Sequence, residues 1–197
     1  MLCGKVFIEY APLEKAWCPV LGNNYMYIYC LWVAGSFKGN GYAKELLDYV
    51  IETSKKLNKN GICTITCKKK KPYLSEKKFF QKYGFKVVDS IGEYELLSLD
   101  FNNEKPHFNE TAKKMKIEEN DLTIFYSVQC PFTNNCIKEL KEFSKENNIK
   151  INFKKVDTLE KAKNMPCIFN NWANFKDGKY LSNLLLNKNM VEKMYKN

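Results

Sequence analysis

The stretch WVAGSFKGNGYAKELL, Trp32–Leu47, limits what this chain can fold into more than any other. An apolar run rich in aromatic residues stops at a loop. Helical periodicity starts directly after Gly41, with Tyr42, Ala43, Leu46, Leu47, Val50 and Ile51 on one stripe. A helix start leaves four N–H groups without partners and carries a partial positive charge. Gly39 and Gly41 let the backbone close around an anion with no Cβ in the way, so strand, loop and helix together suit a pyrophosphate. Neither the G-x-G-x-x-G of dinucleotide folds nor the G-x4-G-K-S/T of P-loops is present. A lone G-x-G also fits a plain turn, so the flanking segments must decide.

Those flanks read as alternating strands and helices. GKVFIEYAP and NNYMYIYCLWVAG form an antiparallel hairpin, separated by Pro12, Pro19 and the turn Gly22-Asn23-Asn24. Gly61 is expected to stop the helix, and ICTITC to be a third strand. Ser75 is expected to cap a short helix carrying Phe79, Phe80 and Tyr83, which ends at Gly84. FKVVDSI and YELLSLDF make a last hairpin around Gly92. Residues 102–119 show little periodicity, contain Pro106, and read as a linker. Beyond them LTIFYS, CPFTNNCIKELKEFSKENN, INFKKVD, residues 158–164, a hairpin turned at Asp177-Gly178 and residues 187–196 give the order βαβαββα of the thioredoxin class. The expectation is an α/β chain with units at 1–101 and 120–197.

Composition removes several alternatives. Hydrophobic residues make up 45% and charged ones 27%, which is globular rather than disordered. No apolar stretch reaches the roughly 18 residues of a membrane span, and no secretion signal follows Met1, so a cytoplasmic protein is expected. The net charge of +10 divides evenly, with 15 lysines against 10 acids up to residue 101 and 17 against 12 after it. All 32 basic residues are Lys, which does not suit a surface that reads base edges, so no nucleic-acid partner is expected. Lys68–Lys71 is the densest run and reads as a solvated loop or an anion contact. Eight cysteines are spread through apolar strands and read as buried thiols. Cys63 and Cys67 lack a second metal-ligand pair, and His107 is the sole histidine, so no metal site is expected.

An aromatic strand, then VAGSFKGNGYAKELL, a strand, and KKFFQKYGF resemble the GNAT family of N-acetyltransferases, whose pyrophosphate signature is Q/R-x-x-G-x-G/A. GKVFIEYAP, YMYIYCLWV, KKKKPYLSEKKFFQKYGFK, CPFTNNC and DGKYLSNLLLNKN, in that order, resemble its YoaP-like branch, in which an acetyltransferase domain precedes a thioredoxin-like one. The resemblance implies a mixed-sheet acyl-CoA N-acyltransferase fold that uses acetyl-CoA, shortened at its front by a strand and two helices. Backbone groups of Trp32, Val33 and Ala34 would pair with the pantetheine arm, while Phe37, Lys38, Gly39, Asn40, Gly41, Tyr42 and Ala43 would face the pyrophosphate. Lys38, Lys44 and one of Lys68–Lys71 would meet phosphates as point charges. The oxyanion would be met by the N–H of Val33 or Ala34, and an acceptor amine, small or peptidic, would attack the thioester.

Two positions depart from the family. Ser36 stands where Gln or Arg is usual, and Phe80 stands where a Tyr acid is usual, leaving Tyr83, Tyr73 or water to return the proton. With the shortened front end, this points to weak or absent turnover. A sheet without its first strands would also expose an edge that pairing of two copies could cover. In the second unit Cys130 sits before a helix start, which favours thiolate, and Pro166 resembles the thioredoxin-class proline, typically cis, that faces such a cysteine. On a helix the step from Cys130 to Cys136 rises about 9 Å, beyond disulfide reach. A thiol redox or small-molecule binding protein on a degenerate transferase scaffold is therefore the second reading beside N-acetyl transfer.

Overall fold

The computed structural model describes residues 5–71, 74–102, 104–128 and 131–196. The chain divides into two compact units, Met1–Ala16 with Val20–Phe108, and Trp17–Pro19 with Asn109–Asn197.

The first unit runs β1 (Val6–Pro12), β2 (Val20–Leu21), β3 (Tyr25–Val33), α1 (Tyr42–Lys56), β4 (Gly61–Cys67), α2 (Lys77–Lys82), β5 (Lys86–Ile91), β6 (Tyr94–Asp100) and β7 (His107–Phe108). Five strands form one sheet in the order β1-β3-β4-β6-β5. β3 and β4 are parallel, so α1 must cross over between them, and every other pair is antiparallel. Leu47 and Val50 of α1 pack on Met26, Ile28 and Ile62, and Phe80, Phe85 and Leu97 complete that core. Each such side chain contributes about 1.5–3 kcal/mol by leaving water.

Three local expectations change. The helix stops at Asn58, whose φ of 50° puts it in the left-handed region just past the C-cap Leu57, and not at Gly61. Gly61 instead opens β4, where a Cβ would lie 2.5 Å from Tyr25 Cε1 and 2.6 Å from the Leu99 carbonyl. Tyr25 is fully buried and donates its hydroxyl to Asp100 Oδ1 at 2.8 Å, tying the start of β3 to the end of β6. Ser75 does not cap α2. Glu76 occupies the cap position, and Ser75 Oγ accepts from the N–H of Leu31 at 3.3 Å. The segment expected as a linker carries order of its own, because β7 pairs with β2 and α3 (Glu110–Lys113) is capped by Asn109, which accepts from Thr111 N–H at 3.2 Å. A two-residue strand and a single helical turn are too short to show a period.

The second unit continues with β8 (Leu122–Tyr126), α4 (Pro131–Glu146), β9 (Ile151–Lys155), α5 (Leu159–Lys163), β10 (Trp172–Lys176), β11 (Lys179–Ser182) and α6 (Lys188–Lys196). The sheet order is β11-β10-β8-β9, with β8 and β9 parallel and the other pairs antiparallel. One face packs Leu122, Ile124 and Tyr126 with Ile137, Leu140 and Phe143 of α4 and Val191 of α6. The other packs Ala173 and Phe175 with Ala162 of α5 and Met165. Asn174 is buried and fully bonded. It accepts from Trp172 Nε1 at 2.8 Å and donates to Ser182 Oγ at 2.9 Å and to the Leu184 carbonyl at 2.8 Å. No helix among the described residues is long and apolar enough to cross a membrane.

Replacing Gly61 with Ala forces the β3–β4 junction apart. The expected loss is about 1–3 kcal/mol, read as a lowered urea midpoint. An unchanged midpoint would show that the junction has slack that the 2.5 Å approach denies.

Candidate functional site

In the β1–β3 register Glu9 faces Cys30 while Tyr10 faces Ile28, so Tyr29 is one residue too many. Such a bulge bends its strand and sharpens its twist. It falls where β3 leaves β4. Their pairing runs only from Tyr25 opposite Gly61 to Ile28 opposite Thr64. Past that rung β4 continues to Cys67 along β6, and β3 continues to Val33 along β1. The last shared rung is latched by Thr64 Oγ1, which donates to the Ile28 carbonyl at 3.0 Å. A wedge therefore opens inside the sheet between Tyr29–Val33 and Ile65–Cys67.

Main-chain groups of a strand point alternately to its two sides. The Ala34 N–H donates to the Lys5 carbonyl at 3.0 Å, so Ala34 faces away from the wedge, and Trp32, two residues earlier, faces the same way. Of the three residues expected to offer their backbone to an added strand, only Val33 turns it into the wedge. Ala34 cannot supply an oxyanion contact, because its N–H already completes the β1 ladder. Leu31 has the same orientation as Val33, and its N–H is the one held by Ser75. The sequence shows the strand but not which of its two edges each residue serves.

After Ala34 the chain makes a 3₁₀ turn, Gly35–Phe37, and then the loop that leads into α1. The turn uses the N–H groups of Phe37 and Lys38, which donate to the carbonyls of Ala34 and Gly35, both at 3.2 Å. These two amides are thereby taken from the expected anion contact. The N–H groups of Gly39, Asn40, Gly41, Tyr42 and Ala43 have no acceptor among the described residues. Gly39 and Gly41 have φ of +83° and +85°, and a Cβ on either would meet nothing within 4 Å. Glycine is required there by conformation, and the space before the five amides is open. The loop is pinned by Asn40, whose Nδ2 donates to the Ser36 carbonyl at 3.2 Å, and the rings of Phe37 and Tyr42 meet edge-on at 6.1 Å.

Side chains around the loop are less committed. Lys44 Nζ lies 2.5 Å from Asp48 Oδ2, and that partner raises the lysine's pKa, with the Tyr83 phenol acting from nearby in the same direction. Tyr83 closes α2 and is half-buried against Phe79. Phe80, at the family's acid position, is fully buried in the core. Lys38 is exposed. Tyr73 and Cys130 lie outside the described residues. Pro166 is joined in trans, as no described peptide bond is cis. Trans is the favoured isomer of an X–Pro bond by about 0.5–1 kcal/mol.

The model of the GNAT acetyltransferase domain matches residues 20–98, and that of the YoaP-like domain matches residues 151–193. The uncharacterized N-acetyltransferase YoaP of Bacillus subtilis (strain 168) is 38% identical over 193 residues, covering 96% of this chain and 77% of its own length. A crystal structure described as a GNAT-family acetyltransferase from Desulfovibrio desulfuricans is 15% identical over 48% of this chain and 60% of its own, with a TM-score of 0.41. An acetyltransferase from Bacillus cereus is 16% identical over 49% of this chain and 74% of its own, with a TM-score of 0.35. The protein is thus an acyltransferase of the GNAT class. Within it, the chain belongs to the YoaP-like N-acetyltransferases.

The thiols of the second unit complete the inventory. Cys136 is half-buried with Sγ 2.9 Å from the Leu186 carbonyl, and burial raises its pKa. Burial pushes the Cys167 thiol up to about 12. None of the six described cysteines is in a disulfide. Because the thiolate is the nucleophile, Cys167 should resist iodoacetamide in the native protein near neutral pH and react at least about tenfold faster once unfolded in urea. The sign follows from the raised value: the folded state favours the protonated thiol, so this contribution is complete below about pH 8.5 and is lost as pH climbs toward 12. Equal labelling rates in the two states, read by peptide mass spectrometry, would contradict this burial.

Proposed function

We propose that the chain binds acetyl-CoA with the pantetheine arm in the wedge between β3 and β4 and the diphosphate on the amides of residues 39–43, and acetylates an amine. One juxtaposition carries this reading: a sheet split from within opens beside five consecutive N–H groups without acceptors. A strand edge inside a sheet is costly to leave unpaired, and an extended amide-bearing arm satisfies it as an added strand would. The open glycine loop and the start of α1 offer the donors and partial charge that a diphosphate needs.

When bound, acetyl-CoA supplies an activated acyl thioester; its transfer forms a C–N bond to the amine, breaks the C–S bond and releases coenzyme A as a thiolate. The Val33 N–H is the main-chain donor directed at charge developing on the carbonyl oxygen. Tyr83, whose phenol acts on Lys44 in the first turn of α1, is the residue we assign to protonating the leaving sulfur, with the amine's own proton passing to water. For the second unit, the order βαβαββα with parallel β8 and β9 supports the thioredoxin-like class, as an accessory to the transferase.

Acetyl-CoA at 100 times its dissociation constant should stabilise the protein by about 2.7 kcal/mol, read as a rise in melting temperature. Gly41→Val, which needs φ of +85° and fills the cradle, should abolish that rise. Val33→Pro removes an N–H that serves no β1 bond, so turnover should fall by about 10²–10³-fold while acetyl-CoA binding is kept. Ala34→Pro breaks the bond to Lys5 and should instead lower stability. A Val33→Pro protein with normal turnover would remove Val33 from the mechanism.

A further inference from the structure

Described residues between the end of β4 and the first turns of α2 line a cavity of about 430 Å³, among them Lys68, Lys69, Lys70, Lys71, Lys77 and Lys78. That volume lies in the range of small-molecule sites. Three of the six charges are compensated. Lys70 lies 3.4 Å from Glu76, Lys71 2.8 Å from Glu93, and Lys77 2.7 Å from the buried Glu95. Lys68 donates at 2.9 Å to the uncharged carbonyl of Gly92, and Lys69 and Lys78 pair with no carboxylate among the described residues. Six lysines thus share three carboxylates, with Lys69 adding its charge to that of Lys71 beside Glu93, and the concavity keeps an excess of positive charge. Ser75 lines the same cavity and holds the Leu31 N–H that faces the wedge, so cavity and wedge meet at one side chain.

We infer that this cavity receives the acidic group of the acceptor, which makes the acceptor a small amine that also carries a phosphate or carboxylate. The inference rests on the reading of the wedge as the acetyl-CoA site. Its basis is position and sign. The five free amides lie at the end of β3, whereas the lysines lie at the end of β4, across the opening. A polyamine or basic peptide would bring like charge to a pocket with an excess of positive charge and be repelled, while an anionic group is drawn in. Lysines act here as mobile point charges, so the site selects charge more than shape. A phosphate could also come from the ribose of the cofactor, and the test below separates the two sources.

Thiol release from acetyl-CoA is followed with glucosamine 6-phosphate against glucosamine, phosphoethanolamine against ethanolamine, and β-alanine against β-alaninamide. The acid-bearing member of at least one pair should show kcat/KM at least about tenfold higher, and the advantage should shrink as salt is raised. The variant with both Lys69→Gln and Lys78→Gln should lose that preference through KM for the amine, with KM for acetyl-CoA unchanged. Equal rates within every pair, or no release above the amine-free rate, would overturn the assignment. So would a double variant whose KM rises for acetyl-CoA but not for its 3′-dephospho analogue, which would put the cofactor's ribose phosphate among the lysines. Heat stability with acetyl-CoA is measured on the same samples. A wild-type protein that acetyl-CoA stabilises but that shows no preference for acidic amines sinks only this inference, whereas absence of stabilisation strikes the transferase reading itself.

Discussion

One surplus residue, Tyr29, sets the geometry on which the rest of the first unit depends. A regular β3 would stay in register with β4 along its whole length, and the N–H groups of Leu31 and Val33 would be spent on the sheet. The bulge turns the strand away after Ile28, so a pair that begins parallel ends as a wedge. Holding that wedge open requires its closed end to be rigid. Gly61 lets β3 and β4 approach too closely for any side chain, Tyr25 fills the space beside it and bonds Asp100, and Thr64 latches the final rung. Tight packing at one end and open backbone at the other are two parts of a single arrangement.

Unpaired backbone inside a sheet would be a liability unless something met it. Ser75 meets one of the two amides, and does so from the segment that also walls the lysine cavity. The role expected for this serine, capping α2, is performed by no side chain. α2 is a short helix held by the burial of Phe80 and its contacts with Phe79 and Phe85, so it does not depend on a cap. Ser75 is thereby free to work at the wedge.

Much of the fold was legible because it is written in period and punctuation. The apolar run of β3, the change to helical spacing at Tyr42, and the glycines at 39 and 41 all appear where the structure uses them. What was not legible depends on partners distant in sequence. Whether Ala34 or Val33 turns its N–H into the wedge is decided by pairing with Lys5, and the bulge is decided by the count of residues between two rungs. Asn58 took the helix stop from Gly61 because asparagine tolerates the left-handed region, while the packing of Tyr25 claimed the glycine. The segment expected as a linker at 102–119 holds one two-residue strand and a helix shorter than one hydrophobic period.

Charge near the wedge bears on chemistry as well as on recognition. An amine attacks a thioester only when it is unprotonated, and a free ammonium near neutral pH holds its proton strongly. Positive charge close to an ammonium disfavours the charged form and lowers its pKa. On the proposed reading, lysines that hold an acceptor by its acidic group also place its nitrogen in a cationic field, so the contact that selects the substrate helps to strip its proton. The pocket therefore gains from having six lysines against three carboxylates: a carboxylate for each would leave nothing to bind the acid and no field to act on the amine. That field acts on the amine alone and substitutes for a base; the proton that the family's Tyr would give to the departing thiolate, which Phe80 cannot supply, is on the same reading left to Tyr83.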